Sequence, residues 1–169
     1  MKKFRFLIFL FIICYSNNVL AENKIVFIDI DYLMKNSNIG KLSLKKLEDL
    51  NNKNVNSLKD NEQKLKNKEK NLLQKKNIIS KEEFEKEIKI LKTEIQKFKT
   101  DKDNMVKDFN KLKVEELNKV LEKFNKKIQE YMSEKSIDIV LNKNNIFIGK
   151  TSSDITNDIL IKINKEFLE

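Results

Sequence analysis

The sequence predicts a mainly α chain with a small β body, an α+β architecture in which a long antiparallel helical hairpin is inserted into a strand-based oligomerisation body. Three observations carry this. Residues 41–133 contain no Pro and no Gly and are dominated by Lys, Glu, Asn and Leu, the composition of long helices. Ser80-Lys81-Glu82-Glu83 has the pattern of a capping box and divides that stretch in two. Short β-branched runs at 25–30 and 137–141 flank it.

Residues 1–21 read as a cleaved secretory signal. Lys2, Lys3 and Arg5 make a basic start, Phe6 to Tyr15 is an unbroken apolar run, and Val19-Leu20-Ala21 places compact residues at the cleavage site, after Ala21. The apolar run is too short for a membrane anchor, which needs about 20 residues. Cys14, the one cysteine, lies inside the run after Ile13, where a lipoprotein signal wants a small residue. The chain from Glu22 onward therefore has no thiol and no disulfide, and its stability must come from packing or assembly.

Ile25 to Ile30 reads as a first strand covered on both faces. Asp31 is expected to cap a short helical turn through Leu33 and Met34, and residues 36–40 to form a polar break. The first helix of the hairpin then runs over 42–77, about 54 Å, and the second over 81–133, about 80 Å, with a turn near 77–80. Ile79 and Phe84 stand where a hydrophobic staple would hold that turn. The second helix outruns the first by about 26 Å, and that surplus must pack in the body.

The second helix carries a seam at Phe84, Ile88, Leu91, Ile95, Phe98, Met105, Phe109 and Leu112, broken once by Lys102. Its alternating spacing of four and three suits a coiled coil. After a phase slip it resumes at Val114, Leu117, Leu121, Phe124, Ile128 and Tyr131, where a change of packing partner belongs. The first helix offers only half a seam: Leu44, Leu58, Leu65 and Leu72 are spaced in sevens, but Asn51 interrupts them and Asn54, Asn61 and Lys68 hold the companion positions. Such an arm is marginally stable and bends.

Beyond the hairpin, Ile137 to Leu141 reads as a second strand, 142–145 as a turn, and Ile146 to Ile148 as a third strand closing a β-hairpin. Ser153, Asp154 or Thr156 caps a final amphipathic helix with Ile155, Ile159, Leu160, Ile163 and Phe167 on one side. The body thus comprises 22–40 and 134–169, and the arm 41–133. A body this small leaves strand edges open, so self-association is expected, with Ile25, Phe27, Ile139, Leu141, Ile146 and Ile148 as the oligomer core.

Composition excludes most enzyme chemistry. There is no His, so neither a catalytic imidazole nor a Cys/His metal site can be built, and only two glycines, Gly40 and Gly149, are present. Gly149-Lys150-Thr151 resembles the end of a phosphate-binding loop, but Asn144 stands where that loop needs Gly. Asp29 and Asp31 are better read as a strand end and helix cap than as a metal pair, and Ser152, Ser153 and Asp154 as capping residues. No enzymatic activity, cofactor or metal is expected.

Without residues 1–21 the chain holds 32 Lys and no Arg against 26 acids, a net charge of +6. Lys lacks the bidentate fork of Arg, so anion binding should be diffuse and salt-sensitive, and nucleic acid is not an expected partner. Residues 41–133 carry 25 Lys against 17 acids, and Lys64, Lys66, Lys68, Lys70, Lys75, Lys76 and Lys81 face only Glu69 along the chain. These seven lysines are the candidate contacts for a client or an anionic lipid.

The order of elements resembles the Skp/OmpH family of periplasmic outer-membrane-protein chaperones. The matching stretches are residues 24–29 (Lys-Ile-Val-Phe-Ile-Asp), Gly40-Lys41, residues 137–144 (Ile-Asp-Ile-Val-Leu-Asn-Lys-Asn) and residues 153–160 (Ser-Asp-Ile-Thr-Asn-Asp-Ile-Leu). The resemblance implies a jellyfish-like homotrimer in the periplasm whose basic arms enclose a cavity. It implies an ATP-independent holdase that keeps unfolded outer-membrane β-barrel proteins from aggregating before membrane insertion, with anionic lipid or lipopolysaccharide as further partners. The Arg-containing lipopolysaccharide site of some members has no counterpart here. The alternative reading is a structural coiled-coil envelope protein binding anionic lipid or a surface polymer.

Overall fold

The computed structural model describes residues 23–167. The signal segment 1–21, with Cys14 and the cleavage position after Ala21, lies outside the described residues. The chain runs β1 (Ile25–Ile28), α1 (Ile30–Asn36), α2 (Asn38–Lys75), α3 (Lys81–Lys135), β2 (Ile139–Asn142) and α4 (Thr156–Glu166), with 3-10 turns at Lys143–Asn145 and Thr151–Ser153.

The hairpin forms as its sequence dictates. Ser80 caps α3, its hydroxyl accepting from the Glu83 amide at 3.2 Å. At its far end α3 stops at Ser136, which adopts a left-handed conformation with φ 50° and returns its amide to the Met132 carbonyl. Helices of 38 and 55 residues span about 57 and 83 Å.

The last turns of α3 supply the body's core. Val120, Phe124, Ile128 and Tyr131 pack with Val26 and Ile28 of β1, Leu33 of α1, Ile137, and Ile155, Ile159 and Ile163 at and within α4. Leu160 and Phe167 pack against this cluster as well. The seam reaches the core through Glu116 and Val120, a drift in steps of four, and Val114 is exposed rather than part of it. In α2 the buried positions nearest the body are Gly40, Ser43 and Leu47, whereas Leu44 is exposed, so the sevenfold grid holds only from Leu58 outward. Small residues at 40 and 43 let the helix approach its neighbours closely, which a grid of leucines would prevent.

Two expected strands pair, and the third is absent. β1 and β2 are parallel, with Ile25 opposite Ile139 and Phe27 opposite Leu141, and the helical hairpin is their crossover. Residues 146–148 do not return along β2. The Asn142 side chain accepts from the Asn144 amide, the Ile146 amide bonds the Lys143 carbonyl, and the Lys143 ammonium lies 3.6 and 3.5 Å from Asp29 and Asp154. That turn carries the chain across β1, where Phe27 bridges Asp154, instead of folding it back along β2.

The caps also differ in detail. Asp29, not Asp31, caps α1, accepting from the Tyr32 amide at 2.8 Å. The expected break at 36–40 shrinks to Ser37, which is buried and accepts from the Gly40 amide, so that α2 starts at Asn38. None of Ser153, Asp154 and Thr156 caps α4: Ile155 holds the N-cap position without a side-chain bond, and Asp154 accepts from the amide of Thr156, the first helical residue, at 3.0 Å. Burial pushes the Asp154 carboxyl up, but bonds from Thr156 and the Lys143 ammonium outweigh it and hold its pKa below the usual carboxylate range.

Candidate functional site

Two surfaces remain once the core is accounted for: the arm and one face of the body. In the arm, every predicted seam residue of α3 from Phe84 to Leu112 is only half-buried, because α2 supplies an incomplete partner. Leu50, Asn54, Leu58 and Leu65 are half-buried too, Leu72 is buried, and Asn61 and Lys68 face solvent. Three ion pairs also tie the two helices together, two of them on either side of Leu72: Lys46 to Glu116 at 2.8 Å, Lys68 to Glu94 at 2.6 Å and Lys75 to Glu87 at 3.8 Å. The bond from Lys46 holds the Glu116 carboxyl below its usual pKa against the opposing effect of burial.

The same antiparallel geometry changes the charge of the arm's end. The first turns of α3 carry Glu82, Glu83, Glu85 and Glu87, and folding brings them alongside the lysine-rich end of α2. Lys66, Lys68 and Lys75 pair with Glu62, Glu94 and Glu87. Lys64, Lys70, Lys76 and Lys81 make no ion pair among the described residues. The strongly basic tip expected from the lysine run is therefore a mixed surface with four free ammonium groups, beside the exposed Leu73 and Ile78.

On the body, Ile25, Ile139 and Leu141 are exposed on the side of the sheet away from the core. Phe147 is fully exposed and Ile148 is 85% exposed, while Phe27 and Ile146 are half-buried. The six residues expected in an oligomer core thus lie outside the protomer's own core, which uses Val26 and Ile28 instead. Sequence reasoning did not single out Phe147, though its place between Ile146 and Ile148 was signal enough.

The remaining candidates have structural roles. A Cβ on Gly149 would stand 2.9 Å from the Phe27 ring, so this glycine admits the ring and does not cradle a phosphate. Asp31 accepts from the Asn144 side chain at 3.0 Å. Among the described residues no group of His, Cys, Asp and Glu is arranged to hold a metal ion, and no helix is long and apolar enough to cross a membrane.

Comparison with known proteins places this architecture. None of the curated proteins matches the chain. Its fold matches the crystal structure of a proposed outer membrane chaperone (OmpH-like) from Caulobacter crescentus CB15, with a TM-score of 0.80 and 17% identity over 86% of each chain. The model of the outer membrane protein (OmpH-like) family matches residues 24–163, nearly everything from β1 to the core residue Ile163 of α4. The matched residues take in β1, the helical hairpin, β2 and most of α4, and the chain belongs to the OmpH-like outer membrane protein family.

Proposed function

We propose that this protein is an ATP-independent periplasmic holdase, acting as a homotrimer that binds unfolded outer-membrane β-barrel proteins between its arms and prevents their aggregation. The observation that carries this reading is the arm: a long hairpin whose apolar seam is left half-buried along its length, with unpaired lysines around it. Half-buried apolar side chains attract an unfolded chain, and dispersed ammonium groups attract it without imposing one geometry. Family membership and the description of the Caulobacter protein as a chaperone support the same reading.

The body supports the proposed assembly. Its exposed apolar face is contiguous with an open strand edge, an arrangement that copies of the same chain can bury against one another. Three arms projecting from one such body would enclose a space. The attraction for clients weakens with salt, since it acts through exposed charges. No catalytic step and no bound nucleotide is required.

The test is light scattering of a urea-unfolded outer-membrane β-barrel protein diluted into buffer, with and without residues 22–169, alongside the mass by sedimentation. Suppression at about one trimer per client supports the holdase. A well-formed trimer that leaves aggregation unchanged rejects it in favour of the structural envelope protein.

A further inference from the structure

Midway along the arm the seam fails, and the failure leaves a trough. Lys102 occupies the position where the spacing of Phe98 and Met105 calls for an apolar side chain. Val55, Leu58 and Leu65 of α2 and Ile95 and Phe98 of α3 wall a cleft of about 490 Å³ on the hairpin's flank. Val55 is 38% exposed and the other four are half-buried, so the walls stay accessible to a partner. The volume falls in the range of about 300–1,000 Å³ typical of small ligand sites.

The rim selects the partner. Lys59, Lys66, Lys99 and Lys102 line it with Glu62 and Glu69. Glu62 is taken by Lys66 at 2.8 Å, and the Lys66 bond, with Lys102 nearby, holds its carboxyl below the usual pKa. Lys59, Lys99 and Lys102 make no ion pair among the described residues. An apolar trough whose rim carries three free ammonium groups against one carboxylate unpaired among the described residues, Glu69, fits an occupant that carries apolar groups and carboxylates together.

We propose that this trough is a subsite for unfolded polypeptide, taking apolar side chains of an extended segment whose neighbouring carboxylates reach the lysines; the proposal rests on the holdase reading. An extended chain puts alternate side chains on one side about 7 Å apart. Two or three of them fit the trough while the intervening residues meet the rim. A second copy of the arm is disfavoured, because it would bring the same lysines together. A bilayer is disfavoured by position: Leu58 and Phe98 lie 17 residues from the helix ends at Lys75 and Lys81, about 26 Å from the tip.

Filling the trough separates binding from stability. Lys102→Leu completes the seam, so it should raise the thermal midpoint while weakening binding of a fluorescent peptide of alternating Phe and Asp at least fivefold, read by anisotropy on residues 22–169. Val55→Asn, at an exposed wall position, should weaken the peptide without touching the seam or adding a charge and serves if Lys102→Leu misfolds. Lys113→Leu, elsewhere on α3, controls for the lost charge and should leave peptide affinity within twofold.

Peptide affinity unchanged in both trough variants, or lowered equally by Lys113→Leu, overturns the subsite. Binding of dodecyl sulfate or phosphatidylglycerol vesicles in place of the peptide overturns the choice of occupant. Client aggregation is measured on the same samples: wild-type suppression with indifferent trough variants rejects the subsite alone, whereas absent suppression rejects the holdase while a trough-dependent peptide signal still stands.

Discussion

The Tyr131 hydroxyl donates to the Asp158 carboxylate at 2.5 Å, joining the inner end of the long arm helix to α4 across the edge of the core. That bond, with burial adding to it, raises the Tyr131 pKa from 10.0 to about 12. Protonated tyrosine is thus favoured in the folded chain. The bond contributes fully below pH 10, and stability falls as pH rises toward 12, because the unfolded chain releases its proton first. Tyr131→Phe should lose about 1 kcal/mol at neutral pH and show a shallower decline from pH 10 to 12. Urea midpoints of both proteins across that range test this, since lysine titration is common to both; parallel declines would refute it.

Gly40 is fixed by a backbone neighbour. A Cβ there would collide with the Met34 carbonyl oxygen where α1 turns into α2, and the adjoining Asn38 amide is held by Asn164 at 2.9 Å. Neither side can yield easily. Gly40→Ala should therefore destabilise the body by about 1–3 kcal/mol from overpacking, outweighing the roughly 1 kcal/mol that Ala gains in a helix. A denaturation midpoint at or above wild type would show that the elbow relaxes freely.

How much of this was legible depended on whether the signal was local. The hairpin was, because a capping box at Ser80 and an unbroken helical composition are read within a few residues, and α3 begins at Lys81 as expected. The half-filled seam from Leu58 to Leu72 was legible by its spacing, and so was the helix carrying Ile159 and Ile163. The start of α2 was not: its buried positions are Gly40, Ser43 and Leu47, and only the approach of α1, α3 and α4 decides that small residues belong there. Residues 146–148 have strand composition but no strand neighbour, since the Asn142 turn and the Lys143 ion pairs lead the chain elsewhere. The tip's charge was misjudged for the same reason, because Glu87 and Glu94 meet Lys75 and Lys68 only after the chain folds back.

If the outer face of the body is the assembly surface, Phe147 and Ile148 are its simplest handles. Both project from a loop and contribute nothing to the protomer's buried core. Replacing both with Ser should leave helicity unchanged while lowering the sedimenting mass of the proposed trimer toward that of a monomer at micromolar concentration. Removing two apolar side chains from each of three protomers withdraws several kcal/mol of burial, at about 1.5–3 kcal/mol per fully buried side chain. An unaltered mass would place the interface elsewhere.

The seven arm lysines divide into two groups that charge reversal should separate. Lys64, Lys70, Lys76 and Lys81 have no ion pair among the described residues, so changing them to Glu removes long-range attraction without breaking a contact. Capture of an unfolded client should slow several-fold at low salt and converge with wild type at high salt, as screening at about 0.15 M reaches about 8 Å. Lys66, Lys68 and Lys75 behave otherwise. Lys68→Glu would set two carboxylates against each other across the hairpin, replacing a pair that contributes about 0–1 kcal/mol with repulsion beside a seam that is only half-filled. Reversing this second group should loosen the arm, seen as faster amide exchange in residues 60–95, before it alters the rate of capture. If both groups slowed capture equally with no change in exchange, steering would depend on net charge alone and the pairing seen in the arm would be irrelevant to function.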